Sequence, residues 1–322
     1  MVLIISIEED ISTFNVIDWL LCQDKKYIVL FPHESINVSK LFISISDKTV
    51  QISSNNDNLG ITSLWYRRGN MNVDAIFKNT ASIEKIKSKK LLMKQLNKEN
   101  RDLQLSTIDF LAHQLSSKID DYIFTHNINK INVLDNAVKV GLKIPETIIT
   151  TDKSVLFDFL TRHEGKIITK PISEVLVISD NEYDYYTYTS KIDDIQNFPN
   201  TFFPSLFQQM IDKDYELRIF FLKNRCYSTA IFSQHDQKTK IDFRNYNREK
   251  PNRYIPYQLP KYIEHRIIKL IKNLNLDSGS IDMIVDKQSH YYFLEINPVG
   301  QYGMISDPCN YNLDKEIAFN LL

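Results

Sequence analysis

Short apolar runs alternate with helical spacing from the first residue onward. Apolar stretches over 2–7, 27–31, 41–45 and 64–66 have the length and β-branched content of buried strands, and 12–22 fits a helix between the first two. Together they predict a small open α/β domain. From 82 to 117 apolar positions recur at helical intervals among many charges, from Ile83 and Ile86 through Leu96 and Ile108 to Leu115, predicting one long helix or two.

The middle of the chain changes period again. A helix is predicted over 130–140, ended by Gly141 and followed by Pro145; Thr151 and Asp152 cap a second over 153–163, which Gly165 closes. Strands are expected at 166–170, 174–179 and 184–189, giving a small antiparallel sheet. The last third is strand-rich: 206–211, then 215–222 and 226–232 joined by a tight turn at Lys223, Asn224 and Arg225. A basic, aromatic-studded loop over 233–260 leads to a helix at 261–273 and a terminal hairpin, 279–286 with 291–296. The expected organisation is an N-terminal α/β domain (1–119), a central subdomain (120–204) and a C-terminal subdomain (205–322).

Composition narrows the chemistry. The chain has 322 residues, 43% hydrophobic and 25% charged, with 39 basic against 40 acidic side chains, so neither nucleic acid nor an anionic membrane is an expected partner. No apolar run approaches the roughly 20 residues of a membrane span. The N-terminus lacks a basic n-region and reads as a buried strand rather than a signal peptide, and Cys22, Cys226 and Cys309 make no disulfide framework; a cytoplasmic protein is expected. Seven glycines, about 2% against a usual ~7%, leave no GxxxxGK[ST] and no GxGxxG, and there is no GxSxG elbow or HExxH. A nucleotide, if bound, must be held by lysines, backbone and metal-binding carboxylates.

The terminal hairpin carries the strongest signal. Glu295 and Asn297, two apart, share one face of an extended strand, and folding the hairpin about its turn sets Asp282 opposite Glu295. Two carboxylates and an amide oxygen suit a hard cation such as Mg²⁺; the plain alternative is a pair of acids on an exposed strand face. Lys170 ends a strand just before Pro171 and reads equally as a snorkelling side chain. Lys130, at a helix N-terminus, opposes the helix dipole unless an anion sits there. In 207–211 (Phe207, Gln208, Gln209, Met210, Ile211) a strand end can offer backbone to an adenine edge. Glu216 and Arg218 share a strand face, as a functional couple or as an ion pair. Asp242 and Arg244, followed by Arg248, Lys250 and Arg253, form a basic loop that is either solvated or a phosphate-handling arm.

In this order, Lys130, Lys170-Pro171, Gln208 to Ile211, Glu216-Leu217-Arg218, Asp242-Phe243-Arg244, Asp282, and Glu295-Ile296-Asn297, the sequence resembles the ATP-grasp ligase superfamily. It is most similar to the branch of ribosomal-protein glutamate ligases and graspetide (microviridin-type) peptide macrocyclases. Trp65-Tyr66-Arg67-Arg68 and the stretch from Pro251 and Arg253 to Pro260 resemble the grasp-with-spasm type of peptide maturase. The resemblance implies an α/β, three-domain ATP-grasp fold, a pre-ATP-grasp domain first and ATP between the central and C-terminal antiparallel sheets. It implies that Lys130 and Lys170 contact ATP phosphates, Lys170 also reaching the adenine edge, and that Gln209, Met210 and Ile211 form the adenine hinge. Arg218 and Arg244 act on the transferred phosphoryl group and acyl phosphate, Asp282, Glu295 and Asn297 hold Mg²⁺, and Asp242 or Glu216 serves as base, with His235 a third choice. Gln209 stands where many ATP-grasp enzymes carry an acid, which bears on the adenine and ribose contacts and not on the metal site.

The implied activity is ATP-dependent macrocyclisation of a ribosomally made precursor peptide (leader plus core), linking Asp or Glu side chains to Ser or Thr as esters or to Lys as amides. Trp65, Tyr66, Arg67, Arg68 and Arg253 are the residues expected on the peptide side; an aromatic core strand with a solvated basic end is the other reading of the first four. The alternative activity is a ligase that adds a free amino acid to a protein or small molecule. A homodimer is compatible with either.

Overall fold

A computed structural model describes residues 1–31, 53–54, 57–58, 60–69, 88–115, 117–173, 177–179, 184–186, 189–233 and 252–322. The expected strand at 41–45 lies outside them. The chain divides into two compact units, 1–127 with 312–322, and 128–311.

The first unit is built on a parallel sheet of order β2-β1-β5-β6: β1 (Val2–Ile5), β2 (Tyr27–Leu30), β5 (Ser63–Tyr66) and β6 (Ser117–Ile119). Two-residue strands β3 (Ser53–Ser54) and β4 (Asp57–Asn58) pair with each other. β1 and β5 are buried along their whole length, as central parallel strands must be when both faces are covered. Helix α1 (Ile11–Cys22) starts at Asp10, whose carboxylate accepts from the Thr13 amide. The long charged stretch forms one helix, α2 (Lys89–Gln114), which sets Ile108 and Ala112 against Leu3, Ile5, Leu64 and Tyr66; short α3 (Tyr122–His126) follows β6.

A terminal helix, absent from the sequence expectation, completes this unit. α8 (Leu313–Asn320) packs on α1, and the carbonyls of Leu321 and Asn320 accept from the Ser63 and Ser117 hydroxyls, both at 2.6 Å. The segment expected as 205–322 therefore gives its C-terminus to the first unit.

The second unit holds two antiparallel sheets. Helix α4 (Lys130–Lys139) is capped by Asn129 and ended by Gly141 at φ +85. Strand β7 (Thr147–Asp152), read from sequence only as a cap, joins β8 (Ile167–Lys170), β11 (Ser190–Ile192) and β12 (Thr201–Gln209) in the order β11-β8-β12-β7. Helix α5 (Lys153–Arg162) covers one face, burying Leu156 and Phe159 on Ile167 and Phe207; β9 (Val177–Ser179) and β10 (Asp184–Tyr186) form a separate hairpin. β12 spans residue 204, so the expected boundary there falls inside a strand.

After residues 210–212 the chain enters the second sheet, β15-β14-β13-β16-β17: β13 (Lys213–Leu222), β14 (Arg225–Phe232), β15 (Arg253–Tyr257), β16 (Ser278–Asp286) and β17 (Tyr291–Asn297). α4 and α6 (Lys261–Asn273) bury one face with Val133, Leu134, Ile263, Ile267 and Leu270, each such side chain contributing about 1.5–3 kcal/mol over exposure. The opposite face carries Glu216, Arg218 and Asp282, and α7 (Gly303–Ser306) follows β17.

Candidate active site

Strand register gathers the charged residues of the second sheet. Arg218 on β13 lies opposite Asp282 on β16, which in turn lies opposite Glu295 on β17; Ser280 pairs with Asn297. A bulge decides what these strands present. Met283 pairs with Phe293 and Asp282 with Glu295, so Leu294 is an extra residue in β17. Without it Phe293 and Glu295, two apart, would share a face; with it Phe293 enters the core beside Met283 while Glu295 stands with Asp282. Asp282, Glu295 and Asn297 thus come together as expected on one face.

Arg218 and Asp282 are each 7% exposed. Arg218 Nη1 donates to both Asp282 oxygens, at 2.7 and 2.8 Å, and Nη2 reaches the Gln301 carbonyl at 3.4 Å. Nε is buried and has no acceptor among the described residues. A buried donor left open costs about 1–3 kcal/mol. The loop that supplies the Gln301 carbonyl was missed by sequence reasoning. It sits so close to β16 that a Cβ on Gly300 would fall 2.2 Å from Ser280 Oγ and 2.5 Å from its backbone nitrogen, so only glycine fits.

Glu216 does not pair with Arg218. A second bulge, at Asp214, puts Lys213 on the same face as Glu216, and the two form a buried ion pair to which Ser233 Oγ adds a hydrogen bond at 2.9 Å. Burial lifts the Glu216 carboxyl above its ordinary range; Lys213 and Ser233 pull it back, and the Asp282 charge pushes it up further. Lys213 escaped notice because residues three apart on a regular strand face opposite ways.

Elsewhere in the unit, Lys130 Nζ donates to the carbonyls of Pro171 (3.0 Å) and Ser173 (2.7 Å), tying the start of α4 to the segment that follows Lys170. Lys170 pairs in register with Leu206. In the expected hinge, the Gln209 amide donates to the Glu146 carbonyl (2.8 Å), its side-chain oxygen accepts from the Glu146 amide (3.4 Å), and the Met210 amide donates to the Lys166 carbonyl (2.9 Å). The Gln209 side-chain oxygen and the Met210 N–H are therefore engaged within the protein. Gln208, not Gln209, shares the face of Lys170.

The peptide-side candidates divide. Trp65 and Tyr66 are 1% and 2% exposed, core residues with no surface to offer a peptide, since the parallel strand that carries them is covered on both faces. Arg67 is buried too: its Nε donates to Asp10 at 3.0 Å and its Nη2 approaches Ser12 at 3.5 Å. Arg68, part-exposed, has Nε 2.7 Å from the same Asp10 oxygen, close but not aligned as a hydrogen bond. The basic end of this strand is thus paired rather than solvated. Arg253 is exposed at the start of β15 and pairs with Phe232, which alternation puts on the face opposite Arg218 and Asp282. Asp242, Arg244, Arg248, Lys250 and His235 lie outside the described residues.

No family model and no curated protein matches the sequence. Solved structures do. A RiPP-associated ATP-grasp ligase of Chryseobacterium gregarium, in complex with ADP and a leader and core peptide, superposes with a TM-score of 0.77 at 23% identity, covering 99% of this chain and 96% of its own. The macrocyclase MdnC of Microcystis aeruginosa, bound with precursor peptide MdnA, gives 0.71 at 25% identity over 99% and 98%. The ATP-grasp ligase PsnB, complexed with a phosphomimetic variant of its minimal precursor, Mg and ADP, gives 0.70 at 14% identity over 99% and 97%. The chain has the ATP-grasp fold over its whole length. Within that fold it is similar to peptide macrocyclases, as the sequence motifs suggest.

Proposed function

We propose that this chain is an ATP-dependent ligase that macrocyclises a ribosomally made precursor peptide. The observation that carries the reading is the buried Arg218, held by Asp282 and Gln301 with no acceptor for its Nε among the described residues, on the face that also presents Glu295 and Asn297. The similar structures, which hold ADP, Mg and precursor peptides, support it.

In this reaction an Asp or Glu carboxylate of the peptide attacks the γ-phosphorus of ATP, ADP departs, and the acyl phosphate forms. A Ser or Thr hydroxyl, or a Lys amine, of the same peptide then attacks the acyl carbon; phosphate leaves and an ester or amide closes the ring. The protein contributes positioning and electrostatics rather than a covalent step. Arg218 meets the phosphoryl oxygens with a guanidinium already oriented by Asp282. Lys130 at the start of α4 and Lys170 at the end of β8 hold the phosphates, and the hinge contact with adenine falls to the Ile211 amide and the hinge carbonyls.

The donor set fits a hard cation: two carboxylates and an amide oxygen, with no nitrogen or sulfur ligand. Asp282, Glu295 and Asn297 would hold Mg²⁺, which would supply charge neutralisation for the ATP phosphates. Arg244 as a second phosphoryl-binding arginine and Asp242 as base rest on the sequence resemblance, and Glu216, bound to Lys213, is the weaker base of the two. Leader and core of one precursor are the partners, and Arg68, unlike its neighbour Arg67, keeps part of its side chain exposed toward them.

The test is to mix the chain with Mg-ATP and a precursor whose core is rich in Ser or Thr and in Asp or Glu, then weigh the product. Loss of one water per link is expected. Gain of an added amine would establish the amino-acid-adding alternative instead, and no ATP-dependent change would end both.

A further inference from the structure

Gln208 has no task in the reading above. It is 1% exposed, and alternation along β12 sets it on the face shared with Ile168 and Lys170, while Phe207 turns to α5. A primary amide has two unlike ends: its nitrogen only donates and its oxygen only accepts. What a ligand on this face meets depends on which end the protein holds.

Thr147, opposite Gln208 on β7, settles that. Its hydroxyl donates to the Pro145 carbonyl at 2.9 Å. A hydroxyl has one hydrogen, so toward Gln208 this oxygen can only accept, and Gln208 Nε2 donates to it at 2.9 Å. The relay from Gln208 through Thr147 to Pro145 fixes the direction of the amide and leaves Oε1, the acceptor end, for a ligand.

We propose that Thr147, by fixing the Gln208 amide, makes the nucleotide site selective for adenine over guanine. This rests on the ATP-dependent ligase reading. At the purine six-position adenine presents an amine, which donates to Oε1; guanine presents a carbonyl, which sets two acceptors against each other and leaves both unpaired. An unpaired buried acceptor corresponds to roughly ten- to hundredfold in affinity. Thr147 is a positioning residue here, and Gln208 makes the contact.

The experiment is calorimetric titration of the full chain with Mg-ATP and with Mg-GTP, without peptide. The wild type should prefer ATP, Thr147→Ser should keep that preference, and Thr147→Val, in which the amide is free to turn over, should lower it by about tenfold. In a Gln208→Glu background, where both side-chain oxygens only accept, Thr147→Val should leave the preference unchanged. A Thr147→Val preference equal to that of the wild type overturns the inference, as does an equal loss in both backgrounds. Failure of the wild type to bind either nucleotide would instead sink the ligase reading.

Discussion

Each unit buries an arginine against an aspartate, and the two pairs are put to different use. In the first, Arg67 Nε is satisfied by Asp10, which also caps α1, and Ser12 lies near Nη2. The guanidinium thereby joins the end of β5 to the start of α1. In the second, Arg218 meets Asp282 through Nη1 and a loop carbonyl through Nη2, and Nε has no acceptor among the described residues. One arginine closes a structure and the other keeps a donor in reserve. A buried ion pair does not by itself identify a functional site.

The contrast can be attacked directly. Asp282→Ala should have the largest effect, a fall in cyclisation of at least about 10²–10³-fold, because Arg218 loses its orienting partner and the cation a ligand. Quantitative mass spectrometry of product reads this, and wild-type turnover would falsify the assignment. Arg67→Met should instead act on stability, costing about 1–3 kcal/mol in urea denaturation by taking from the buried Asp10 one of its two arginine partners, while folded protein binds nucleotide normally. An unchanged midpoint would break the distinction between the pairs.

Gly300→Ala should cost about 1–3 kcal/mol and slow turnover, since the new methyl must push the Gln301 carbonyl away from Arg218. If both denaturation and kinetics are unaltered, the loop does not orient the arginine. The Glu216 carboxyl gives a gentler handle. Its folded pKa lies above its ordinary 4.5, so the folded state holds the proton more tightly than the unfolded one. The stability it contributes is complete below pH 4.5 and is lost as pH rises through the folded value. Glu216→Gln should make the decline of stability with pH shallower across that window, by less than one proton's worth of slope, in urea midpoints measured from pH 4.5 to 7. Identical slopes would place Glu216 elsewhere than in the buried pair. Smallest of all, Arg253→Ala should change cyclisation by no more than about twofold, as expected of an exposed side chain on the far face; a tenfold loss would bring β15 into the peptide site.

Local patterns were sufficient for much of this protein. The cap at Asp152, the glycine stops at 141 and 165, the helix at Lys261–Asn273 and the terminal hairpin follow from propensity and spacing, interactions among residues near in sequence. The pairing of Asp282 with Glu295 was legible for the same reason, since the hairpin turn is short. Other features had no local signal. The extra residues at Asp214 and Leu294 are set by cross-strand register, and they alone place Lys213 beside Glu216 and divert Phe293 from the face of Glu295. Arg67 found its counter-ion 57 positions away in Asp10, and Gln208 its orienting hydroxyl 61 positions away in Thr147. The sequence by itself determined which elements form and which residues are equipped for phosphoryl chemistry, because both depend on residue type and near neighbours. Only the tertiary structure decided which of those residues face each other and which donors stay open, because facing is a property of paired strands and an open donor a property of everything packed around it.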